Sequence, residues 1–585
     1  MKKLIIGAAL AAASSLAFPA AAQQQAPARA ASPSSADARL KALYDAVWSW
    51  RQKEYGGEEG GFPRVDEASQ KRRLAYLEKA LADLERIPVD QLSAEERLNA
   101  AVFRTSLEGS ISDLRFREWE MPFNSDSNFW ASLGQQQSFK TAEEYRRYIK
   151  RLKDLPRYFD EQMANMRAGL KRGFSVPRAT LAGRESSIET YATTDLAKNP
   201  FYTPFANIPA TIPAAEQAQI RAEGEAAVQQ SVVPAYTKLL NFFRGEYVPK
   251  ARTTLAAEAM PDGKAFYAAQ IREYTTLGLT ADEIHQIGLK EVARIEAEMG
   301  QVMRAAKFNG TLPQFLAFLK SDPQFYAKTP DELMGFSSYV AKRVDGKLKD
   351  YFNFLPRYRF TIRPVPDAIA PYYTAGRGGL ESCWMNTYNL PARPLYQIPA
   401  LTLHECAPGH SFQAALALEQ PKRPDFRRQT YFSGYGEGWG LYTEYLGKEM
   451  GIYRTPYEDF GRLSYEMWRA ARLVIDTGLH SKGWTRQQAL DYLGSRTALS
   501  QHEVTTEVDR YISWPGQALS YKLGELTIRR LRAEAEAKLG DKFDIRNFHD
   551  AILETGSLPL SVLEQHIREF IANGGKSPYE GRAGS

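Results

Sequence analysis

His404 and His410 stand six residues apart in the stretch L-T-L-H-E-C-A-P-G-H, with Pro408 and Gly409 between them. No other stretch limits the local fold as tightly. At about 100° per residue, an unbroken helix would point the two rings about 120° apart. Pro408 lacks the N–H that would bond the His404 carbonyl, and its ring clashes with that turn. Gly409 takes backbone angles that other residues avoid. The sequence therefore predicts a break in regular i to i−4 bonding, with the helix bulged between the two histidines and their imidazoles converging. The plainer alternative is a proline-kinked helix carrying two unrelated histidines.

Converging imidazoles with Glu405 beside them make the start of a metal-hydrolase site. Neutral imidazoles bind the ion, and the neighbouring carboxylate takes a proton from the attacking water. The usual spacing of such a pair is four, on one helical face, so the break is a condition of this reading. The third donor should come from a later helix. Glu437 is the candidate, 27 residues after His410 in S-G-Y-G-E-G-W-G-L-Y-T-E, where Gly436, Gly438 and Gly440 strip bulk from its surroundings. Glu444 falls on nearly the same face and reads either as a partner orienting a ligating histidine or as an exposed helical carboxylate.

The rest of the chain reads as ordinary globular sequence. Its 585 residues are 44% hydrophobic and 25% charged, which excludes collagen-like and mainly disordered classes. A net charge of +6 is too mild to indicate nucleic-acid binding. Residues 1–22 have the form of a secretory leader: Lys2 and Lys3, an apolar run from Leu4 to Phe18, then Ala20-Ala21-Ala22. The alternative, a membrane anchor, needs about 20 apolar residues. No cysteine follows the leader, which excludes lipid attachment there. Residues 23–36 read as a mobile linker, and 37–585 as a single helical unit. Expected helices include 142–170 and one capped by Thr280 and Glu283, with Ile284, Ile287, Val292, Ile295 and Met299 along one face. Asn199–Pro213 reads as an irregular surface or lining segment. Alternation at Tyr358, Phe360 and Ile362 predicts a strand, and a second is expected near Cys383–Tyr388. The fold class is thus mainly α with a small β-sheet, in two lobes. Cys383 and Cys406 are the only cysteines; a disulfide, free buried thiols and a reactive role all stay open.

Several blocks together resemble the bacterial domain-of-unknown-function family 885, whose members are similar to zinc metallopeptidases. They are G-F-S-V-P-R (173–178), L-T-A-D-E-I-H-Q-I-G-L-K-E-V-A-R-I-E-A-E-M (279–299), P-Y-Y-T-A-G-R-G-G (371–379), H-E-C-A-P-G-H (404–410), E-G-W-G-L-Y-T-E (437–444) and D-R-Y-I-S-W-P-G-Q-A-L-S-Y-K-L-G (509–524). The resemblance implies a large helical zincin-like fold around a deep cleft. It also implies one Zn2+ per chain held by His404, His410 and Glu437, with Glu405 as general base. The chain departs from the family pattern at Ser411, where a second histidine is usual, and at Cys406, where a small residue is usual.

Other roles follow by analogy. Helical peptidases similar to angiotensin-converting enzyme use a tyrosine in an Arg-Tyr pair to stabilise the oxyanion, which points to Tyr511 after Arg510. Tyr373 and Arg377 are candidates for binding a substrate carboxylate. Asn386, with Tyr388, is a candidate for pairing with substrate from an edge strand. His480 is a candidate substrate contact or a buried partner of Asp476, and His502 is a weaker one; His285, His549 and His566 read as structural. The expected protein is a periplasmic or secreted zinc-dependent hydrolase of peptide bonds. It would take a peptide substrate, with no nucleic acid and no membrane insertion after leader cleavage. Hydrolysis of non-peptide or peptidoglycan-derived amides, and a binding protein with a degenerate site, are the competing readings.

Overall fold

Ser35 opens the first helix, α1 (Ala36–Gly56), by accepting the Ala38 N–H with its side chain. The structure, a computed structural model, describes residues 35–57, 60–131, 133, 138–367, 370–420 and 423–580. The leader at 1–22 and nearly all of the 23–36 linker lie outside the described residues. Leu40, Tyr44 and Val47 of α1 are buried. They share one apolar core with Leu403, Trp439, Ile528 and Phe548, so the first helix packs with elements from the C-terminal third.

α2 (Ala142–Arg172) starts at a capping box of Thr141 and Glu144 and ends at Gly173, in the left-handed region at φ 80°. Its buried face contributes to a second core between Phe62 and Ala251. Phe201 and Phe205 are fully buried in that core. The Asn199–Pro213 segment, expected to be irregular, carries one short helical stretch, Thr203–Ala206, and is anchored inward by its aromatics. α3 (Ala281–Ala305) has the expected capping box of Thr280 and Glu283. It buries Ile284, Val292, Ile295 and Met299 and leaves Ile287 half-buried.

Three short strands form the sheet: β1 (Thr361–Pro364), β2 (Gly376–Arg377) and β3 (Ser382–Met385), in the order β1-β3-β2. β1 runs parallel to β3, pairing Thr361 with Ser382, and β2 runs antiparallel, pairing Arg377 with Trp384. The strand read from Tyr358 begins only at Thr361, because the Tyr358 N–H is taken by the Glu419 carboxylate. β3 is central, so the strand expected at an edge is not one; β2 is the edge on that side.

The remaining elements that position the site are α4 (Ile398–Glu405), α5 (His410–Glu419), α6 (Ser433–Glu449), α7 (Pro456–Ser481), α8 (Gln501–Ser513) and α9 (Ser520–Leu539). α6 and α9 cross where two glycines face each other: a Cβ on Gly438 would lie 2.5 Å from the Gly524 Cα. Lys522 of α9 is fully buried and bonds or pairs with Glu291, Glu466 and Glu525, tying α9 to α3 and α7. Cys383 of β3 and Cys406, just after α4, form a disulfide with a Cα separation of 5.4 Å. Among the described residues no helix is long and apolar enough to cross a membrane. The chain is mainly helical with a three-stranded sheet.

Candidate metal centre

Regular helix stops at Glu405 and restarts at His410. Between them Cys406 takes φ −98°, ψ −100°, the Ala407–Pro408 peptide is cis, and Gly409 takes φ −74°, ψ −136°. The sequence predicted a bulged helix; the structure has two helices joined by a turn. Gly409 is required by close approach rather than by positive φ. A Cβ there would lie 1.8 Å from the His404 carbonyl oxygen and 2.4 Å from that of Leu403. The turn thus folds back onto the end of α4. It is held by Phe412 N–H to Cys406 O at 3.1 Å and by Trp439 Nε1–H to Pro408 O at 2.8 Å.

The reversal brings the rings together, with centroids 4.9 Å apart and planes at 84°. Glu437 joins them from α6. Its Oε2 is 3.5 Å from His404 Nε2 and 3.4 Å from His410 Nε2, and the three donor atoms all lie within 4.8 Å of one another. Among the described residues this is the one group of three such donors drawn together. Tetrahedral ligands on bonds of about 2.0–2.1 Å stand about 3.4 Å apart, so two edges of the triangle already fit a zinc ion. Gly440 makes the approach possible, since a Cβ on it would lie 2.7 Å from the His404 ring.

The surrounding groups fix orientation and charge. His404 is buried, and its Nδ1–H donates to Glu444 Oε1 at 2.8 Å. That carboxylate accepts only, so a neutral His404 imidazole presents its lone pair at Nε2. Glu444 is itself buried; Arg469 lies 3.6 Å from it, and its Oε2 has no hydrogen-bond partner among the described residues. Burial opposes charge on His404, but hydrogen bonds to Glu437 and Glu444 outweigh it and lift its pKa to about 9. Burial likewise opposes charge on Glu437, yet the two histidines hold its carboxyl well below the usual range. The carboxylates and the His404 imidazole thus stabilise one another's charge. Glu405 stands beside the cluster, its Oε2 accepting the Gly378 N–H at 2.6 Å. Ser411 braces the same turn, donating to Glu405 O at 3.1 Å and accepting from Gly379 N at 3.2 Å.

The other candidate residues are placed differently. Tyr511 is fully buried, and its hydroxyl accepts from Trp468 Nε1 at 2.8 Å and Arg472 Nε at 3.0 Å while bonding Glu507. Contacts run from Tyr511 through Arg472 and Tyr521 to His404. Tyr521 stacks near His404 with centroids 6.4 Å apart, and the Arg472 guanidinium lies 4.3 Å from the Tyr521 ring. Arg510 donates to Gln517 Oε1 at 2.9 Å and reaches the Tyr521 hydroxyl at 3.4 Å. His480 is buried away from the cluster, accepting from Ala257 N at 3.0 Å and donating to Tyr511 O at 2.9 Å, and burial pushes its pKa down to about 3. Asn386 is also buried. Its Nδ2 faces the carbonyls of Ala370, Tyr373 and Thr374, so it clamps that loop rather than facing outward. Arg377 is exposed, stacks 5.7 Å from the Tyr373 ring, and immediately precedes Gly378 beside Glu405. His502 is exposed.

Tyr431 also reaches the cluster. Half of its surface is open, and its hydroxyl lies against Gly436 and bonds Glu437. Burial, then the nearby Glu437, holds that phenol well above its usual pKa. Nothing in the sequence separates it from the other 30 tyrosines except its position six residues before Glu437.

Comparison with known proteins agrees with this architecture. A "putative lipoprotein" from Colwellia psychrerythraea is 28% identical and superposes with a TM-score of 0.84, over 92% of this chain and 100% of that one. A "putative lipoprotein of unknown function" from Shewanella oneidensis is 19% identical, with a TM-score of 0.69 over 92% of this chain and 99% of that one, a likeness of fold. No curated protein matches the chain. The sequence profile of one family, described as "Bacterial protein of unknown function (DUF885)", matches residues 51–567, nearly the whole length, and the chain belongs to that family.

Proposed function

We propose that this chain is an exported, zinc-dependent hydrolase of peptide or amide bonds, with a zincin-like arrangement of three helices around its metal. The observation that carries the reading is the convergence of His404, His410 and Glu437 with Glu405 alongside. Two imidazoles and a carboxylate leave a position open on a four-coordinate ion, as hydrolytic zinc sites do. A zinc ion bound there would polarise the scissile carbonyl and acidify a water molecule.

The chain's own residues do the rest. Glu444 keeps the His404 ring turned with Nε2 toward Glu437. The Gly378 N–H holds one oxygen of Glu405 and so aims its carboxylate. Glu405 takes the proton as water oxygen adds to the carbonyl carbon, then delivers it to the amine nitrogen as the C–N bond breaks. The rim beside Glu405, formed by Tyr373, Arg377 and the edge strand β2, suits an extended peptide backbone and its carboxylate. The apolar leader at 1–22, together with the lipoprotein description of the two structural relatives, supports a periplasmic or secreted site of action.

Glu405→Gln tests the reading. The variant should keep its zinc and its fold while turnover of short peptides falls by roughly 10²–10⁴, the range for loss of a general base. Activity equal to the parent's would remove Glu405 from the chemistry.

A further inference from the structure

We propose that the Cys383–Cys406 disulfide is a positioning element for the general base: with the Gly378–Gly379 loop it closes a ring of short links that fixes the Glu405 carboxylate beside the metal donors. This rests on the metallohydrolase reading above. Glu405 is the last residue of α4, and Cys406 has already left helical angles at φ −98°, ψ −100°. The helix therefore does not continue past the base to hold it from the C-terminal side. Glu405 is also outside the set of three metal donors, so ligation would fix His404, His410 and Glu437 but not the base.

The ring starts and ends on Glu405. Its peptide bond leads to Cys406, whose sulfur bonds Cys383 of β3. Next along β3, Trp384 pairs with Arg377 of β2. The two strands lie close there, since a Cβ on Gly376 would stand 2.8 Å from the Trp384 carbonyl oxygen. Gly378 follows Arg377, and its N–H donates to Glu405 Oε2 at 2.6 Å, which closes the ring on the carboxylate itself. Backbone and carboxylate of one residue are thus tied to the same sheet, the first covalently and the second by a hydrogen bond. Both cysteines are fully buried in a core with Met385, Ile398 and Leu401, so the sheet end of the ring is itself packed in place.

Two further contacts support the assignment. A Cβ on Gly378 would lie 2.0 Å from Glu405 O and 2.7 Å from the His410 Cβ, so the loop runs directly against the turn. Ser411 Oγ accepts the Gly379 N–H at 3.2 Å and donates to Glu405 O at 3.1 Å, a second route from the loop to the same residue. Without the disulfide, β3 is free to shift relative to the turn, and the Gly378 amide shifts with it. A displacement of about 1 Å at a reacting group can cost about 10²-fold in rate. The bridge acts as a fixed link, and no change in its oxidation is part of the reaction.

The test compares wild type with the double variant Cys383→Ala with Cys406→Ala, and with Ser411→Ala, which loosens the second route and leaves the bridge intact. Three measurements are made: zinc affinity by competition with a chelator, kcat and KM on short peptides, and residue-resolved hydrogen exchange of the Gly378 and Gly379 amides in the zinc-free proteins. In the double variant kcat should fall by about 10–10². KM and zinc affinity should stay within about twofold, and the Gly378 amide should exchange at least about tenfold faster. Ser411→Ala should show the same pattern, more weakly. Unchanged kcat or unchanged Gly378 protection in the double variant would overturn the proposal. A zinc affinity that falls in parallel with kcat would also overturn it, assigning the bridge to the metal donors instead. If the double variant does not fold, Ser411→Ala decides: unchanged kcat and unchanged exchange overturn the proposal, and a lower kcat with faster exchange at full zinc affinity supports it. Wild type that binds no zinc or cleaves no peptide would bring down the metallohydrolase reading itself, and the positioning of a base with it, whatever the exchange data show.

Discussion

His404 Nδ1 lies 2.8 Å from Glu444 Oε1, while Nε2 of the same ring faces Glu437 Oε2 at 3.5 Å. One carboxylate orients the imidazole and the other shares its open nitrogen. Removing the orienting partner in Glu444→Ala should lower zinc affinity about 10–100-fold, the usual cost of losing such a partner. Chelator competition measures this. An affinity equal to wild type would show that the ring is held by packing alone.

Gly440 leaves room for the His404 ring, and α6 cannot shift easily there because Thr443 Oγ1 donates to Leu403 O at 3.0 Å. In Gly440→Ala the new methyl should push the imidazole off its position. The expected result is a zinc affinity at least about 10-fold lower with the helical circular-dichroism spectrum preserved. Full zinc affinity would mean that the helices move apart without cost.

The Cys383–Cys406 disulfide closes a segment spanning 23 residues and joins the central strand to the turn between the histidines. Loop-closure entropy for that length corresponds to about 3 kcal/mol. The double replacement Cys383→Ala with Cys406→Ala should lower unfolding stability by roughly that amount in urea titrations. A loss below about 0.5 kcal/mol would show that the bridge constrains little.

His480 supplies a pH dependence. Folded, it stays neutral down to about pH 3, whereas an unfolded histidine takes a proton near 6.5. Between those values the unfolded chain binds more protons, so acidification removes stability. The contribution is complete above pH 6.5 and fades as the pH falls toward 3. Glutamine at 480 can accept from Ala257 and donate to Tyr511 without titrating. The stability gap between wild type and His480→Gln should therefore narrow as the pH is lowered from about 7.5 to about 5. A constant or widening gap would contradict the assignment of a neutral buried imidazole.

Local chemistry was legible wherever it was encoded by neighbours in sequence. Thr280 with Glu283 marks a helix start because the capping box is built within four residues. Pro408 and Gly409 mark the break because their effect is on the adjoining backbone. Tertiary roles were not legible in the same way. Asn386 looked like a strand residue facing substrate, but its amide is taken by three carbonyls 12 to 16 positions upstream. The Arg510 neighbour points to Tyr511, yet Trp468 and Arg472 of α7 occupy its hydroxyl. The approach of Tyr431 to Glu437 depends on the space left at Gly436, which no composition or periodicity reveals.

The central claim, a three-donor metal centre, is tested most directly by metal analysis of the purified chain after zinc reconstitution and removal of excess ion. Wild type should retain about one zinc per chain, and His404→Ala should retain less than about a tenth as much. A natively folded wild type holding less than about a tenth of an equivalent, or His404→Ala holding as much as wild type, would contradict it.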